Sequence, residues 1–252
     1  MGPSGHLRRK AVPSLSRHAL LLRYQVAMNG YGVIFDMDGV LVDSYRAHYE
    51  SWRLTARRFG VDMTEAQFAA TFGRTSREII NALWPNRFDD QAVAVFDREK
   101  EAAYRDILRR RFPEMDGASD LIEALHREGF ALAIGSSGPP ENVALVKEHL
   151  RAGRLFQAVV SGADVRHGKP DPEVMLVAAR LLNVPPARCA VIEDSLPGLE
   201  SARRAGMKAV ALTGTAAREQ LAPCADLVVD SLRQLSPARI RQLLDGLSPA
   251  RV

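Results

Sequence analysis

Asp36 and Asp38 stand one residue apart at the end of the apolar run Val33-Ile34-Phe35, and Gly39 follows them. Two carboxylates in that arrangement read as a nucleophile beside its own acid/base. An apolar run of strand length that stops at Asp suits an α/β protein, whose ligands gather at the carboxyl ends of parallel strands. Gly39 allows a sharp turn without a Cβ penalty, which folds Asp38 back toward a group held by Asp36. The competing reading is that both aspartates only cap the turn. Three further segments weigh against it. Ala131-Leu132-Ala133-Ile134-Gly135-Ser136-Ser137 is a second apolar strand, ending in hydroxyls. Gly168-Lys169-Pro170-Asp171-Pro172 sets a lysine ahead of a helix that opens with Pro. Ala190-Val191-Ile192-Glu193-Asp194-Ser195-Leu196-Pro197-Gly198 is a strand ending in paired acids.

In this order the four segments resemble the motifs of the haloacid dehalogenase (HAD) superfamily, in the branch that holds sugar-phosphate phosphatases and β-phosphoglucomutase. The resemblance covers roughly residues 31 to 230. It implies Asp36 as nucleophile, Asp38 as acid/base, Lys169 as the motif III lysine, and Ser136 with Ser137 as phosphate-binding hydroxyls. It also implies a metal held by Asp36, Glu193, Asp194 and the carbonyl of Asp38. Dehalogenases of the superfamily lack the second Asp because halide leaves without a proton, so Asp38 favours phosphoryl chemistry.

The chemistry explains why these types belong together. Two unit charges about 4 Å apart interact by roughly 4 kcal/mol at an effective dielectric of about 20, so Asp36, Asp38, Glu193 and Asp194 around a phosphate need positive charge. A hard cation with oxygen ligands, Mg²⁺ keeping several waters, would offset part of it, and Lys169 the remainder. Asp36 could then attack phosphorus in line, with Lys169, Ser136 and backbone N–H groups stabilising the equatorial oxygens. Asp38, kept protonated by its acidic neighbours, would donate to the leaving sugar oxygen and then activate a water against the aspartyl-phosphate.

Between the first two motifs lies enough chain for a small domain. Residues 45 to 112 carry apolar residues at helical spacing over 45–59, 65–72, 75–84 and 89–112, with no strand alternation. Four helices are expected, matching the C1-type cap of this branch. Phe72-Gly73-Arg74-Thr75-Ser76-Arg77-Glu78 resembles its specificity loop, which makes Gly73, Arg74 and Arg77 candidate substrate contacts, since Arg forks an anionic group bidentately. The alternative is a helix N-terminus capped by Thr75 or Ser76 with Arg77 in water. Mutase members carry Lys before this Gly and Arg three positions after it, where this chain has Phe72 and Ser76. His48 and Trp52 do match the mutase pattern, and His48 is a candidate substrate contact.

The elements that must hold these residues form a regular series. Strands near 31–35, 130–135, 156–160, 189–192 and 208–212, with a short one at 227–229, alternate with helices at 118–128, 140–151, 172–182, 197–205 and 231–244. That pattern is an α/β doubly wound parallel sheet, a Rossmann-like HAD core, with an inserted α-helical cap. The expected organisation is a core of 28–44 and 113–246, a cap of 45–112, a basic extension of 1–27 and a tail of 247–252.

Composition is that of a globular chain: 252 residues, 46% apolar and 25% charged. No apolar run is long enough to span a bilayer. Cys189 and Cys224 read as reduced thiols of a cytoplasmic protein, and the histidines show no zinc spacing. The net charge of +4 comes from residues 1–27, whose five Lys and Arg face no acid. The remaining chain is near neutral, so no nucleic-acid partner is implied. The extension reads as disordered, or as lying upstream of a true start at Met28. Leu-Ser-Pro-Ala-Arg occurs at 235–239 and 247–251, and its Ser-Pro is a helix-start signature.

The expected function is a Mg²⁺-dependent phosphatase, a monomer acting on a small phosphorylated metabolite such as a sugar phosphate or a phosphoglycolate-like compound. A β-phosphoglucomutase-like phosphomutase is the runner-up. A non-catalytic phosphate-binding module is the third reading, and Asp38 argues against it because binding alone needs no acid/base.

Overall fold

The computed structural model describes residues 30–246. The extension of 1–27, the start at Met28 and the second Leu-Ser-Pro-Ala-Arg copy lie outside the described residues. Strand β1 (Gly32–Phe35) is flanked by β2 (Ala131–Gly135) and β4 (Cys189–Glu193), and β3 (Ala158–Val160), β5 (Lys208–Leu212) and β6 (Leu227–Val229) complete the sheet. The order is β3-β2-β1-β4-β5-β6, and every neighbouring pair is parallel.

Parallel strands with helices on both faces must be apolar on both sides, and the residues divide accordingly. Val33, Phe35, Leu132, Ile134 and Ile192 face one core with α5 (Ala118–Arg127), α6 (Pro140–His149) and α10 (Pro237–Leu244). Ile34, Ala133, Val191 and Ala209 face the other, with α7 (Glu173–Leu182), α8 (Leu196–Arg204) and α9 (Arg218–Leu221). The strand order reverses beside β1, and in such sheets the crevice at the carboxyl ends of the switch-point strands receives ligand.

Helices α1 (Tyr45–Arg58), α2 (Glu65–Thr71), α3 (Ser76–Leu83) and α4 (Asp90–Arg110) are inserted between β1 and β2. Thr64 with Gln67 and Thr75 with Glu78 form capping boxes that start α2 and α3, satisfying amides that a helix start leaves orphaned. Asp89 accepts from the Ala92 amide at 2.8 Å to start α4. Trp52, Phe68, Ile80 and Phe96 close a separate aromatic core for this cap. Among the described residues no helix is long and apolar enough to cross a membrane.

The sheet and the four cap helices follow the sequence reading, and three elements depart from it. The helix expected over 231–244 is a 3-10 turn at Leu232–Gln234 and then α10, because Pro237 has no amide to continue a helix and Ser236 caps a new one, accepting from Arg239 N at 3.2 Å. β3 pairs only over Ala158–Val160, shorter than the expected 156–160. The four-residue α9 was not expected.

Candidate active site

The parallel register sets the site. Phe35 pairs with Ile134 on one side and Ile192 on the other, so β1, β2 and β4 end level with one another. The Asp36 amide continues the ladder, donating to the Ile192 carbonyl at 3.0 Å. Asp36 therefore emerges beside Glu193, the last residue of β4, and Asp194 follows. The chain then turns at Gly39, whose φ of +76° favours glycine, and packs so closely that a Cβ there would lie 2.0 Å from Asp194 Oδ2.

Lys169 reaches in from the loop between β3 and α7. Its buried Nζ lies 2.5 Å from Asp36 Oδ1 and 2.8 Å from Glu193 Oε1. The other oxygen of Glu193 accepts from the Asp194 amide at 2.6 Å, the Ser195 amide at 2.9 Å and the Ser195 hydroxyl at 3.1 Å. Both Glu193 oxygens are thus engaged within the protein. Asp194 Oδ2 accepts from Thr215 Oγ1.

Three buried carboxylates cluster here, and one ammonium, Lys169, pairs with two of them, Asp36 and Glu193. Burial and the charge of Glu193 lift Asp36 to about 7 despite Lys169. Burial and the charges of Glu193 and Asp36 hold Asp194 well above the usual carboxylate range. In Glu193 burial is outweighed by Lys169 and by the amides it accepts, and its carboxyl stays low. Burial would discharge Lys169, but Asp36 and Glu193 keep it charged. The surplus of negative charge is what a divalent cation would neutralise. Oxygens of Asp36, Glu193 and Asp194 lie within 4.8 Å of one another, a hard donor set that fits Mg²⁺.

Asp38 faces the other way and corrects an expectation. Its Oδ1 accepts from the Tyr104 hydroxyl at 2.8 Å and lies 3.1 Å from His48 Nε2. Both partners belong to the cap, their rings stacked 4.1 Å apart. Burial opposes ionisation, but His48, Ser44 and Tyr104 outweigh it and hold the carboxyl well below its usual range. The donors around Asp38, rather than its acidic neighbours, set its titration and favour the carboxylate. Of the neighbouring acids, Asp36 and Glu193 are paired with Lys169 and Asp194 accepts from Thr215, while donors surround Asp38.

Ser136 follows β2 and is buried, its Oγ accepting from the Gly138 amide at 3.0 Å. A Cβ on Gly138 would touch Met37 at 3.5 Å, so this loop lies against the residue between the two aspartates. Ser137 is exposed. In the cap loop, Gly73, Arg74 and Arg77 are exposed, Thr75 caps α3, and Arg77 makes a solvent-exposed ion pair with Asp90, as the capped-helix alternative expects. His48 is brought to the aspartates, and Arg77 is drawn to the start of α4.

Several residues at the site escaped the sequence reading. Lys100, only 5% exposed, places Nζ 2.7 Å from Glu101 Oε1 and above the rings of Trp52 and Tyr104. Glu101 accepts from Asn142 Nδ2 at 2.6 Å, and Arg105 donates to Asn142 Oδ1 at 2.9 Å, which joins the cap to α6. A signal existed, since Lys100 interrupts the stripe Phe96, Tyr104, Leu108 that α4 buries at four-residue spacing. Thr215 carries no comparable signal.

The haloacid dehalogenase-like hydrolase family matches residues 33–212 of the chain. A phosphorylated carbohydrates phosphatase of Thermotoga maritima is 30% identical over 178 residues, 71% of this chain and 82% of that protein. A fructose-1-phosphate phosphatase of Escherichia coli is 32% identical over 180 residues, 71% of this chain and 94% of that protein. Among solved structures, a HAD hydrolase of family IA, variant 3, from Entamoeba histolytica superposes with a TM-score of 0.78 at 25% identity, covering 85% of this chain and 99% of that one.

Proposed function

The chain belongs to the haloacid dehalogenase-like hydrolase family, and from that premise we propose that it is a phosphatase that cleaves a sugar monophosphate through an aspartyl-phosphate on Asp36. The observation that carries the reading is the Lys169 ammonium shared between Asp36 and Glu193, with Asp38 set apart among donors from the cap. Lys169 occupies one oxygen of Asp36 and leaves the other for in-line attack on phosphorus. The phosphorus–oxygen bond to the sugar then breaks. Ser136 and the amides of its loop supply donors for the equatorial oxygens, where developing charge is best stabilised by preorganised groups. Asp38, protonated for the first step, gives its proton to the leaving sugar oxygen, and the carboxylate so formed takes one from the water that cleaves the aspartyl-phosphate, which restores it. Its ionised state here is the one the second step uses, and His48 and Tyr104 hold it there. Asp36 and Asp194, with the Asp38 carbonyl, are the residues that would hold Mg²⁺, and Glu193 would act through Lys169 and its amide partners. A bound Mg²⁺ supplies Lewis-acid stabilisation of the phosphoryl charge. In this reading residues 45–112 act as the cap that supplies the acid/base environment and the core of 28–44 and 113–246 supplies the nucleophile.

A sugar monophosphate is favoured over a bisphosphate or phosphoglycolate by the cap loop. Phe72 sits with its ring 6.1 Å from that of His48, and Arg77 forms a surface ion pair with Asp90. The relatives named for phosphorylated carbohydrates and fructose 1-phosphate support the same class. The phosphomutase reading lacks the Lys and Arg of mutase members at the positions that Phe72 and Ser76 hold. Phosphate release with Mg²⁺ from hexose monophosphates, 2-phosphoglycolate and β-glucose 1-phosphate, run beside a coupled glucose 6-phosphate assay, tests the proposal. Release that is fastest from a hexose monophosphate is expected. Isomerisation of β-glucose 1-phosphate with negligible phosphate release would overturn it.

A further inference from the structure

Asp36 and Glu193 share Lys169, whereas Asp194 makes no ion pair among the described residues. Its carboxylate is held by two segments instead. Thr215 Oγ1 donates to Oδ2 from the loop after β5. Beside it the turn at Gly39 packs against the same oxygen, and a Cβ on Gly39 would lie 2.0 Å from Asp194 Oδ2 and 3.3 Å from Thr215 Oγ1. Segments following β1, β4 and β5 therefore converge on one carboxylate oxygen.

We propose that Thr215 is the positioning residue of the cation site, fixing the rotation of the Asp194 carboxylate by engaging Oδ2 and so dedicating Oδ1 to the metal. The inference rests on the cation reading given above. A buried carboxylate with one oxygen anchored cannot swing away when the site is empty, and the free oxygen is presented without a reorganisation cost. Both oxygens of Glu193 accept hydrogen bonds, whereas Asp36 and Asp194 each keep one oxygen with no hydrogen bond to the described residues. Hydrogen bonds to ligating carboxylates typically govern metal affinity by about 10- to 100-fold.

Thr215 is exposed, so its substitution is expected to leave the fold intact. Thr215→Val keeps the shape and removes the donor, and Thr215→Ser keeps the donor. Calorimetric titration of Mg²⁺ into protein without substrate, and Mn²⁺ binding followed by electron paramagnetic resonance, read the affinity directly. Thr215→Val should weaken both by roughly 10- to 100-fold, and Thr215→Ser should restore them. At saturating Mg²⁺, kcat of the valine variant should return close to that of the parent, and its Tm in EDTA should be unchanged. Parental metal affinity in Thr215→Val, or equal weakening in both variants, would overturn the role of the hydroxyl. A parent protein that takes up neither ion would overturn the cation reading itself, and the inference with it.

Discussion

Gly198→Ala sets two effects of opposite sign against each other. Gly198 lies in the first turn of α8, where alanine is ordinarily the better helix former by up to about 1 kcal/mol. A Cβ at this position, however, would stand 1.6 Å from Glu193 Oε1, 2.0 Å from its Cδ and 2.5 Å from its Cγ. The whole side chain lies across the glycine. It cannot yield easily, because Lys169 holds one oxygen and the Asp194 and Ser195 donors hold the other. Displacing it separates a buried ion pair, a change that typically costs about 3–5 kcal/mol. Subtracting the helix gain leaves a net loss of about 2–4 kcal/mol, or roughly 4–16 °C in Tm for a chain of this size. Urea unfolding and a melting curve measure the loss, and phosphate release should fall with it because Lys169 loses a partner. In a Glu193→Ala background the same substitution should be neutral or stabilising. A Gly198→Ala protein with raised stability and full activity would refute the reasoning.

Asp36→Asn should abolish turnover while leaving the melting curve close to that of the parent, because the amide keeps the shape but cannot form the acyl-phosphate; phosphate release checks it. Asp38→Asn should reduce kcat by roughly 10²- to 10⁴-fold, the range of general acid–base catalysis. Arg77→Ala should leave kcat/KM unchanged, since the guanidinium is paired with Asp90, and a large loss on sugar phosphates would return Arg77 to the substrate. Burial pushes the Cys189 thiol up to about 12, so a disulfide reagent at pH 8 should leave it unlabelled in the native protein and label it in urea, as peptide mapping would read.

The apolar runs of β1, β2 and β4 and the acids that end them were legible because strand, turn and charge are local. The register that makes them one site follows once the strands are parallel neighbours. The cap helices were legible for the same reason, their caps and four-residue spacing being written in short windows. Pro237 marked a helix start in the sequence, yet its missing amide had to be applied against a helical pattern running from residue 231. The charge of Asp38 was out of reach. Three acids nearby in sequence or motif order suggest repulsion, and only the folded chain pairs Asp36 and Glu193 with Lys169 and Asp194 with Thr215 while His48 and Tyr104 surround Asp38. Thr215 is 21 residues from Asp194 in the chain and stands in a loop with no pattern of its own.

The two aspartates therefore obey different parts of the molecule although one residue separates them. Asp36 is governed by core residues, Lys169 from the loop after β3 and Glu193 from β4, fixed by the sheet register. Asp38 is governed by the first and last cap helices, through His48 on α1 and Tyr104 on α4. Lys100 and Glu101, one turn earlier on α4, run from the Tyr104 ring to Asn142 on α6. A shift of α4 relative to α6 must then alter the donors around Asp38 while leaving the Asp36–Lys169 contact in place. The spacing of two carboxylates by one residue serves this division: Asp36 continues the ladder of the sheet, and Asp38, past Met37, is turned out to meet the cap.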